Sequence, residues 1–524
     1  MVLIVLLHVL NLINMSRAKD LYSAVKRNQW MIEKGKTVDA VAFGYYEDTH
    51  MTKGWGFLTV ETNKKSPSEQ QAFAAGFLEG FLTKHLLQNF WDNYRLNEYG
   101  KLGPPRQLTN FMAKQYLWWA EQCKTNKTEY WKNQNLIFRQ FRGLVSGYNK
   151  YNNKDKKLSV LEIYFINAMG DLSTLNKLVP HDSLPKYSMI NLEKLNAHEI
   201  FHECTGFIRI LPHNKDIVLA HNTWRPYYAM SRIYKTYVLA YTRNARPITF
   251  PSSPGFLHSK DDFYTLKSKR THFGVIETTN SVFNTSIFKG NITFTSLFTW
   301  QRIMSAIYFA KTAQRVLHAF SQYNSGTYNN QWMVLDYTKF TDTGKLPQKD
   351  LLLIAEQIPG RVEIQDVTSV LIKQGYWASY NSPYSKTIRD ISGYTEREKD
   401  YGERYSYTKS PRRRIFDRDA KHINTLDQIK KFMLLNKFKT DPLTEGKPGA
   451  TIAARYDLDE NRPSPFGAVD CKINSKTMGL DAWIYGAPSH EDNQPFVWSD
   501  SVFTDVVHKG LPDKYDFGWI LAKQ

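Results

Sequence analysis

The sequence contains 524 residues, of which 42% are hydrophobic and 14% are aromatic. This composition excludes a disordered or fibrous chain and predicts a globular protein with a sizeable core. The 69 Lys and Arg residues outnumber the 50 Asp and Glu residues, and the resulting net charge of +19 favours an anionic partner such as a phospholipid surface. The sequence contains no long Lys/Arg block, so nucleic acid is not an expected partner.

The N-terminal segment predicts entry into the secretory pathway. Residues 2–13 form an apolar run that is too short to span a bilayer and is typical of a signal-peptide core, although a buried strand or helix would show the same pattern. We predict a signal peptide over residues 1–18 and no membrane span after it. The Asn-X-Ser/Thr sites at Asn126, Asn284 and Asn291 are then expected glycan acceptors.

Helices prevail in the first part of the chain. The predicted elements, in order, are two β-like runs within 38–62, helices at 69–90, 107–123 and 129–147, and a polar loop or domain edge at 148–158. In the first of these helices Phe73, Phe77 and Phe81 recur every four residues, so they are expected to face the core.

The pattern changes at Cys204, after which strand-like segments prevail. They are predicted at 204–211, 217–224, 234–242 and 272–298. Residues 300–440 mix helical and strand-like patterns, and 448–524 are rich in Pro, Gly and aromatic residues, which predicts irregular structure. The sequence therefore indicates mixed α/β layers with a break in character near residues 203 and 204.

One short motif matches a zinc peptidase. His198, Glu199 and His202 form H-E-x-x-H, which on a helix presents two imidazoles for zinc and a carboxylate as general base. No third histidine follows at the metzincin spacing, and the chain becomes strand-like directly afterwards. These features favour an accidental match, so no metal is predicted and a zinc peptidase remains a remote alternative.

Cys204 begins a predicted β-hairpin. If the turn centres on Asn214 and Lys215, Cys204 lies across from Arg225, with His221 and Thr223 on the same face. His221 would then be ~13 Å along the strand from the position opposite Cys204, and contact would need a bulge or another register. A lone cysteine at a strand start is most often a small buried residue, and the catalytic interpretation stays open beside that one.

Several segments, taken together and in order, resemble the phospholipase B-like family, the lamina-ancestor group of lysosomal and secreted proteins. The matching segments are 54–62, 71–83, 204–224, 276–284, 377–384, 391–394, 411–419, 441–443, 468–473 and 494–503. They cover nearly the whole chain after the predicted signal peptide.

The resemblance implies an α+β fold, specifically the four-layer αββα sandwich of an N-terminal-nucleophile hydrolase. It also implies a cut between Glu203 and Cys204, which divides the chain after the signal peptide into an N-terminal fragment, 19–203, with a segment that can be excised, and a catalytic fragment, 204–524. The H-E-x-x-H match would then be linker. The resemblance implies no cofactor.

The resemblance also implies roles for single residues. Cys204 would attack as a thiolate, helped by its own α-amino group, whose pKa of ~8 suits proton transfer near neutral pH. Asn381 would stabilise the oxyanion, and His221 joins these two in the expected catalytic set. The expected substrate-binding residues are Trp224, Thr278, Thr279 and Arg418.

Each of these roles has a structural alternative. Trp224 suits the core equally, Asn381 suits a turn, and Arg418 suits an ion pair with Asp419. A disulfide between Cys123 and Cys471 is also open.

The resulting functional prediction is an acyl hydrolase that acts on phospholipid-type esters or lipid amides through a cysteine thioester. The expected partners are a lipid-like substrate and an anionic membrane surface, and the expected location is secreted or lysosomal. The alternatives are an amidase with a non-phospholipid substrate and a non-catalytic lipid-binding glycoprotein. The sequence leaves the oligomeric state open.

Overall fold

The computed structural model describes residues 20–181, 184–189, 191, 204–241, 246–341 and 345–524. Within these ranges the chain is an α+β protein with large sheets. The predicted signal peptide, the H-E-x-x-H motif and Glu203 lie outside the described residues. In the part that is described, no helix combines the length and the apolar character that a membrane crossing requires.

The described strands are numbered in chain order. They are β1 Tyr22–Lys26, β2 Trp30–Lys34, β3 Ala40–Glu47, β4 Gly56–Thr62, β5 Cys204–Ile210, β6 Ile217–Pro226, β7 Ile233–Leu239, β8 Arg246–Ser252, β9 Phe263–Lys267, β10 His272–Thr279, β11 Asn330–Asp336, β12 Leu352–Ile358, β13 Arg361–Asp366, β14 Tyr376–Ser379, β15 Phe466–Ser475, β16 Ala482–Tyr485, β17 Phe496–Val497, β18 Lys514–Tyr515 and β19 Ile520–Ala522.

The described helices are numbered in the same way. They are α1 His50–Lys53, α2 Ser68–Leu82, α3 Lys84–Tyr99, α4 Arg106–Thr125, α5 Glu129–Lys150, α6 Val160–Asn167, α7 Met169–Leu175, α8 Thr299–Phe309, α9 Ala313–Ser321, α10 Thr368–Gln374, α11 Lys386–Ser392, α12 Tyr394–Tyr401, α13 Pro411–Asp419 and α14 Leu426–Met433.

Two large sheets organise these strands. The larger has eleven strands in the order β13-β12-β11-β10-β9-β8-β7-β4-β3-β1-β2, and the smaller has six in the order β14-β5-β6-β15-β16-β19. Neighbouring strands are antiparallel except β4 and β7, which are parallel. At that pair the segment before Cys204 joins the segment after it in one sheet.

The two sheets pack against each other through apolar side chains. On the hairpin β5–β6, Ile208 and Leu219 contact a buried cluster that includes Ile276 of β10 and Met333 of β11. The alternation of side chains along a strand places Cys204 on the same face as Ile208. Strand β5 therefore presents Cys204 toward the larger sheet.

Helices cover the other faces. Trp332 alternates with Met333 along β11, and its ring lies 5.0 Å from Phe320 of α9. On the smaller sheet the ring centroid of Phe207 lies 5.5 Å from that of Phe416 in α13 and 5.4 Å from that of Phe432 in α14.

The helical predictions hold with one correction. The helix predicted at 69–90 is two helices, because α2 ends at Leu82 and α3 begins at Lys84. The Phe stripe faces inward, but only Phe77 is fully buried, and Phe73 and Phe81 are half-buried beneath β1 and β2.

Two strand predictions need correction as well. The segment predicted as strand over 272–298 stops being a strand at Thr279, because the backbone amides of Phe283 and Asn284 donate instead to the carbonyl of Ser392. Residues 448–524 are not wholly irregular, since β15 lies inside the smaller sheet between β6 and β16. Its ladder partner β6 is remote in sequence, so the pairing of the two strands cannot be recognised from the local sequence.

Candidate active site

Cys204 begins β5 and is buried, with 2% of its surface exposed. The predicted hairpin is present, but its register differs from the predicted one by two residues. Cys204 pairs with Thr223 rather than Arg225, and His221 pairs with Gly206. His221 therefore lies two residues along the strand from the position opposite Cys204, half the predicted offset, and on the same face.

The buried guanidinium of Arg412 connects the start of β5 to Asn381. Its Nη1 donates to the carbonyl oxygen of Cys204 at 2.6 Å and to Thr205 Oγ1 at 3.0 Å. Its Nη2 donates to the carbonyl of Tyr380 at 2.8 Å and to Asn381 Oδ1 at 2.6 Å. Arg412 is the second residue of α13, so the start of this helix directs its side chain at the start of β5.

Every one of these acceptors is neutral. Burial lowers the pKa of Arg412 to about 10, so the side chain still carries its charge at neutral pH. A buried cation without a carboxylate partner stabilises negative charge that develops nearby. The arrangement therefore suits a thiolate or an oxyanion beside Cys204.

Asn381 is 2% exposed and has a left-handed backbone, with φ of 65°. Its Nδ2 donates to the carbonyl of Thr279 at 2.6 Å, and its own carbonyl accepts from the Tyr394 hydroxyl at 2.7 Å. With Oδ1 held by Arg412, the amide orientation is set and the second Nδ2 hydrogen remains for another acceptor.

The two adjacent threonines have different surroundings. The Thr278 hydroxyl lies 2.6 Å from Ser379 Oγ, and Ser379 sits opposite Gly206 on β14, so Thr278 belongs to the contact between the sheets. Thr279 supplies the carbonyl that holds Asn381 and lines a small cavity beside it. Of the two, Thr279 is the one that borders open space.

His221 lies in a buried polar network. Its Nε2–H donates to the carbonyl of Glu277 at 2.7 Å, and Lys472 Nζ donates to its Nδ1 at 3.1 Å. Burial, with a contribution from the Lys472 charge, holds the pKa of His221 well below its usual value. The imidazole is therefore neutral with both nitrogens engaged, which suits positioning better than proton transfer.

The same network supports Thr223, the residue opposite Cys204. Lys472 Nζ donates to Thr223 Oγ1 at 2.6 Å and pairs with Asp470 at 2.6 Å. Asp261 lies 3.2 Å from Arg225 and 2.5 Å from Arg232, and Arg232 also pairs with Asp470. Opposite charges lie in contact throughout this network, which holds strand β6 in place.

Trp224 faces the other side of the sheet from Cys204. It is 1% exposed and packs in a small apolar cluster with Phe466 and Ala468. The Arg412 guanidinium lies 4.5 Å from its ring centroid, so Trp224 supports the arginine that holds Cys204. The packing agrees with the core interpretation, and a role of Trp224 in substrate binding stays a prediction.

Arg418 has the contacts of a structural ion pair. Its Nε and Nη2 lie 2.8 Å from the two carboxylate oxygens of Asp419, and its Nη1 and Nη2 lie 2.9 and 2.8 Å from those of Asp441. Four of its five N–H donors are therefore engaged, which favours the alternative to substrate binding. One turn earlier, the exposed Arg414 guanidinium makes no ion pair or hydrogen bond within the described ranges.

Three cavities surround these residues. The tyrosine cavity, of about 300 Å³, contains both Arg412 and Asn381 in its wall. Its other aromatic and cationic lining residues are Tyr380, Tyr394, Tyr401, Tyr405, Tyr456, Arg404, Lys409, Arg414 and Lys447. The amide cavity, of about 50 Å³, lies beside Thr279 and Asn381. The Trp224 cavity, of about 60 Å³, is bordered by Met169, Met189 and Phe466.

The predicted glycan acceptors lie at the surface to different degrees. Asn284 and Asn291 are exposed and Asn126 is half-buried. Cys123 and Cys471 are both buried thiols, which excludes the disulfide between them.

Sequence reasoning missed Arg412, Lys472 and Asp470. Arg412 is the first of three consecutive arginines, and a run of like charges does not show which member is buried. Lys472 and Asp470 alternate with Cys471 along β15, and charged residues at alternate positions of an otherwise apolar strand are the signal that was available.

Known proteins match this chain over almost its entire length. The model of the family described as Phospholipase B matches residues 42–522. The chain is 37% identical over 519 residues to Phospholipase B-like protein G of Dictyostelium discoideum, which covers 92% of this chain and 86% of that protein. It is 37% identical over 497 residues to Phospholipase B-like 1 of Rattus norvegicus, and the match covers 92% of this chain and 87% of that protein. Phospholipase B of Crotalus adamanteus is 35% identical over 497 residues, covering 92% and 88%.

Proposed function

Because this chain belongs to the phospholipase B family, we propose that it hydrolyses acyl esters of phospholipids with Cys204 as the nucleophile. The observation that carries the proposal is the buried guanidinium of Arg412, which binds both the Cys204 carbonyl and the Asn381 amide. A nucleophile candidate and an oxyanion donor are thereby kept in one fixed arrangement.

The proposed fold is the four-layer αββα sandwich of N-terminal-nucleophile hydrolases. The face-to-face contact of β5–β6 with β10–β11 supports the two inner layers. Helix α9 against β11 and helices α13 and α14 against β5 support the two outer layers.

The proposed maturation is cleavage between Glu203 and Cys204, which yields fragments 19–203 and 204–524. The new α-amino group has a pKa of ~8 and accepts the thiol proton without a separate base. The neutral imidazole of His221 supports this assignment, because it is not available to take that proton.

In the proposed reaction the Cys204 thiolate attacks the ester carbonyl and the ammonium returns its proton to the leaving alcohol. The free Nδ2 hydrogen of Asn381 donates to the oxyanion, a contribution worth about 10²–10³ in rate. The uncompensated Arg412 charge adds to this stabilisation.

The lipid would use two of the cavities. The tyrosine cavity has the size of a small-ligand site. Its wall contains five cationic side chains and the three carboxylates of Glu403, Glu445 and Asp459, and Arg414 makes no ion pair within the described ranges, so the balance favours an anionic head group. The Trp224 cavity is bordered by Met169, Met189 and Phe466, which suits the first carbons of an acyl chain. Arg414 takes over the role that the sequence assigned to Arg418.

The proposal includes a secreted or lysosomal protein that contacts anionic membrane surfaces. The apolar run within 1–18 and the exposed sequons at Asn284 and Asn291 support the secretory route. The net charge of +19 supports contact with anionic lipid.

The test compares the Cys204→Ala and Cys471→Ala variants. Both remove a buried thiol from the smaller sheet, but only the first removes the proposed nucleophile. We expect Cys204→Ala to remain uncut at residue 203 and to lose fatty-acid release from a diacyl phospholipid by on the order of 10³ or more. Cys471→Ala should be processed and active.

N-terminal sequencing and product analysis provide the measurements. A Cys204→Ala protein that matures and hydrolyses phospholipid like the parent would refute the mechanism. Parallel substrates with ester-linked and amide-linked chains decide between the esterase and the amidase, since the same nucleophile attacks both bonds.

A further inference from the structure

The amide cavity beside Asn381 contains polar atoms that have no hydrogen-bond partner among the described residues. Asn280 is 3% exposed, and neither its Nδ2 nor its Oδ1 forms a hydrogen bond within the described chain. Oδ1 of Asn329, which is also 3% exposed, is unpartnered in the same way. Both side chains line the cavity together with Asn381. Buried amide groups of this kind are nearly always satisfied in folded proteins, so the cavity is built for a polar ligand.

The size and the lining of the cavity define that ligand. At about 50 Å³ the cavity is too small for a lipid head group and large enough for a few water molecules. The unpartnered atoms include a donor, Nδ2 of Asn280, and two acceptors, Oδ1 of Asn280 and Oδ1 of Asn329. A water molecule can donate to both acceptors and accept from the donor, so it satisfies all three. Ser173, Lys177 and Ser281 also line the cavity.

The cavity also borders the proposed reaction centre. Asn381 lines both the amide cavity and the tyrosine cavity, so its side chain stands between them. The Arg412 guanidinium joins Asn381 to the Cys204 carbonyl. Water in the amide cavity therefore lies beside the residue assigned to the oxyanion.

We propose that the amide cavity holds the water that hydrolyses the acyl-enzyme, and that Asn280 and Asn329 position it. This inference rests on the thioester of the proposed function. The water oxygen adds to the thioester carbonyl and the carbonyl π pair moves to the oxygen, while the α-amino group of Cys204 takes the water proton. The tetrahedral intermediate then breaks its C–S bond, the thiolate recovers the proton from the ammonium, and the fatty acid leaves.

The test separates deacylation from acylation in the mature protein. Asn280→Leu keeps the shape of the side chain and removes the amide, and Asn330→Leu is the matched control. Asn330 is fully buried and its amide is also unpartnered, but it does not line the cavity. The substrate is a short-chain diacyl glycerophosphocholine, with methanol added as a competing acyl acceptor.

For Asn280→Leu we expect a burst of lysophospholipid, the alcohol released when the enzyme is acylated. Deacylation should then be at least about tenfold slower, because the attacking water is no longer held in position. The ratio of methyl ester to free acid should rise, since the site no longer selects water. Asn330→Leu should keep the parent's ratio and the parent's rate of deacylation. If Asn280→Leu fails to fold, Asn280→Ser, which keeps a hydroxyl, should show the same changes to a smaller degree.

The possible failures can be told apart. An acyl-enzyme that forms on Cys204, detected by intact mass, and decays at the parent's rate in both Asn280 variants overturns the water site alone. Equal effects of Asn280→Leu and Asn330→Leu overturn it as well, because burial and not the cavity would then be responsible. No acyl-enzyme in the parent protein during turnover overturns the proposed thioester itself.

Discussion

Two arginines one turn apart on α13 show how surroundings assign a role to a side chain. Arg418 is enclosed by the carboxylates of Asp419 and Asp441, so its charge is neutralised within the protein. Arg414 lines the tyrosine cavity without such a partner in the described ranges. An unpaired cation at a cavity wall attracts an anionic group, whereas a paired one mainly holds its neighbours.

We therefore expect Arg414→Gln to raise KM for a phospholipid roughly fivefold, which corresponds to about 1 kcal/mol for one partly hydrated contact. The effect should be absent for a neutral glyceride with the same acyl chains. Arg418→Gln makes the same change in net charge and should leave KM unaltered while lowering the apparent Tm. If KM rises for Arg418→Gln and not for Arg414→Gln, the sequence-based assignment is correct. Steady-state kinetics on both substrates supply the readout.

At the scale of elements, α2 and α5 approach each other through four glycines. An added Cβ at Gly76 would lie 1.9 Å from the Gln140 carbonyl oxygen, and one at Gly80 would lie 2.3 Å from that of Leu144. In return, Gly143 and Gly147 face the carbonyls of the α2 residues Phe73 and Phe77 at 2.0 and 1.9 Å. These backbones are in contact, so no side chain fits between them.

Gly143→Ala and Gly147→Ala should both lower the apparent Tm. Alanine favours a helix by about 1 kcal/mol over glycine, but forcing α2 and α5 apart costs about 1–3 kcal/mol or more, so the second effect prevails. Thermal unfolding followed by circular dichroism measures the change. Gly518→Ala serves as the control, because its Cβ would meet nothing within 4 Å. A rise in Tm for both helix variants would contradict this interpretation.

At the scale of the whole molecule, the junction before Cys204 divides the sequence but not the core. Strand β4 from the first segment pairs with β7 from the second over Gly56–Glu61 and Ile233–Val238. Glu79 of α2 and Lys235 of β7 form an ion pair at 2.7 Å, and both side chains are fully buried. Separating the segments would expose a sheet edge and two unpaired charges.

After the proposed cleavage the two fragments should therefore remain associated. Native size exclusion should show one species with both chains, and denaturing electrophoresis should resolve two. Salt at high concentration should not separate them, since the buried ion pair and the ladder are shielded from solvent ions. Fragments that elute separately in native buffer would show that the shared sheet does not hold them.

The sequence by itself determined the family, the α+β class, the main helices and the hairpin that begins at Cys204. These features depend on periodicity over a few residues or on the order of family-like segments, and both can be recognised in the sequence alone. Only the tertiary structure decided that Arg412 joins Cys204 to Asn381, that Arg418 forms an ion pair with Asp441, and that β15 lies inside a sheet. The physical reason is distance in sequence: Arg412 is 208 residues from the carbonyl it holds, and such contacts are set by how the layers pack.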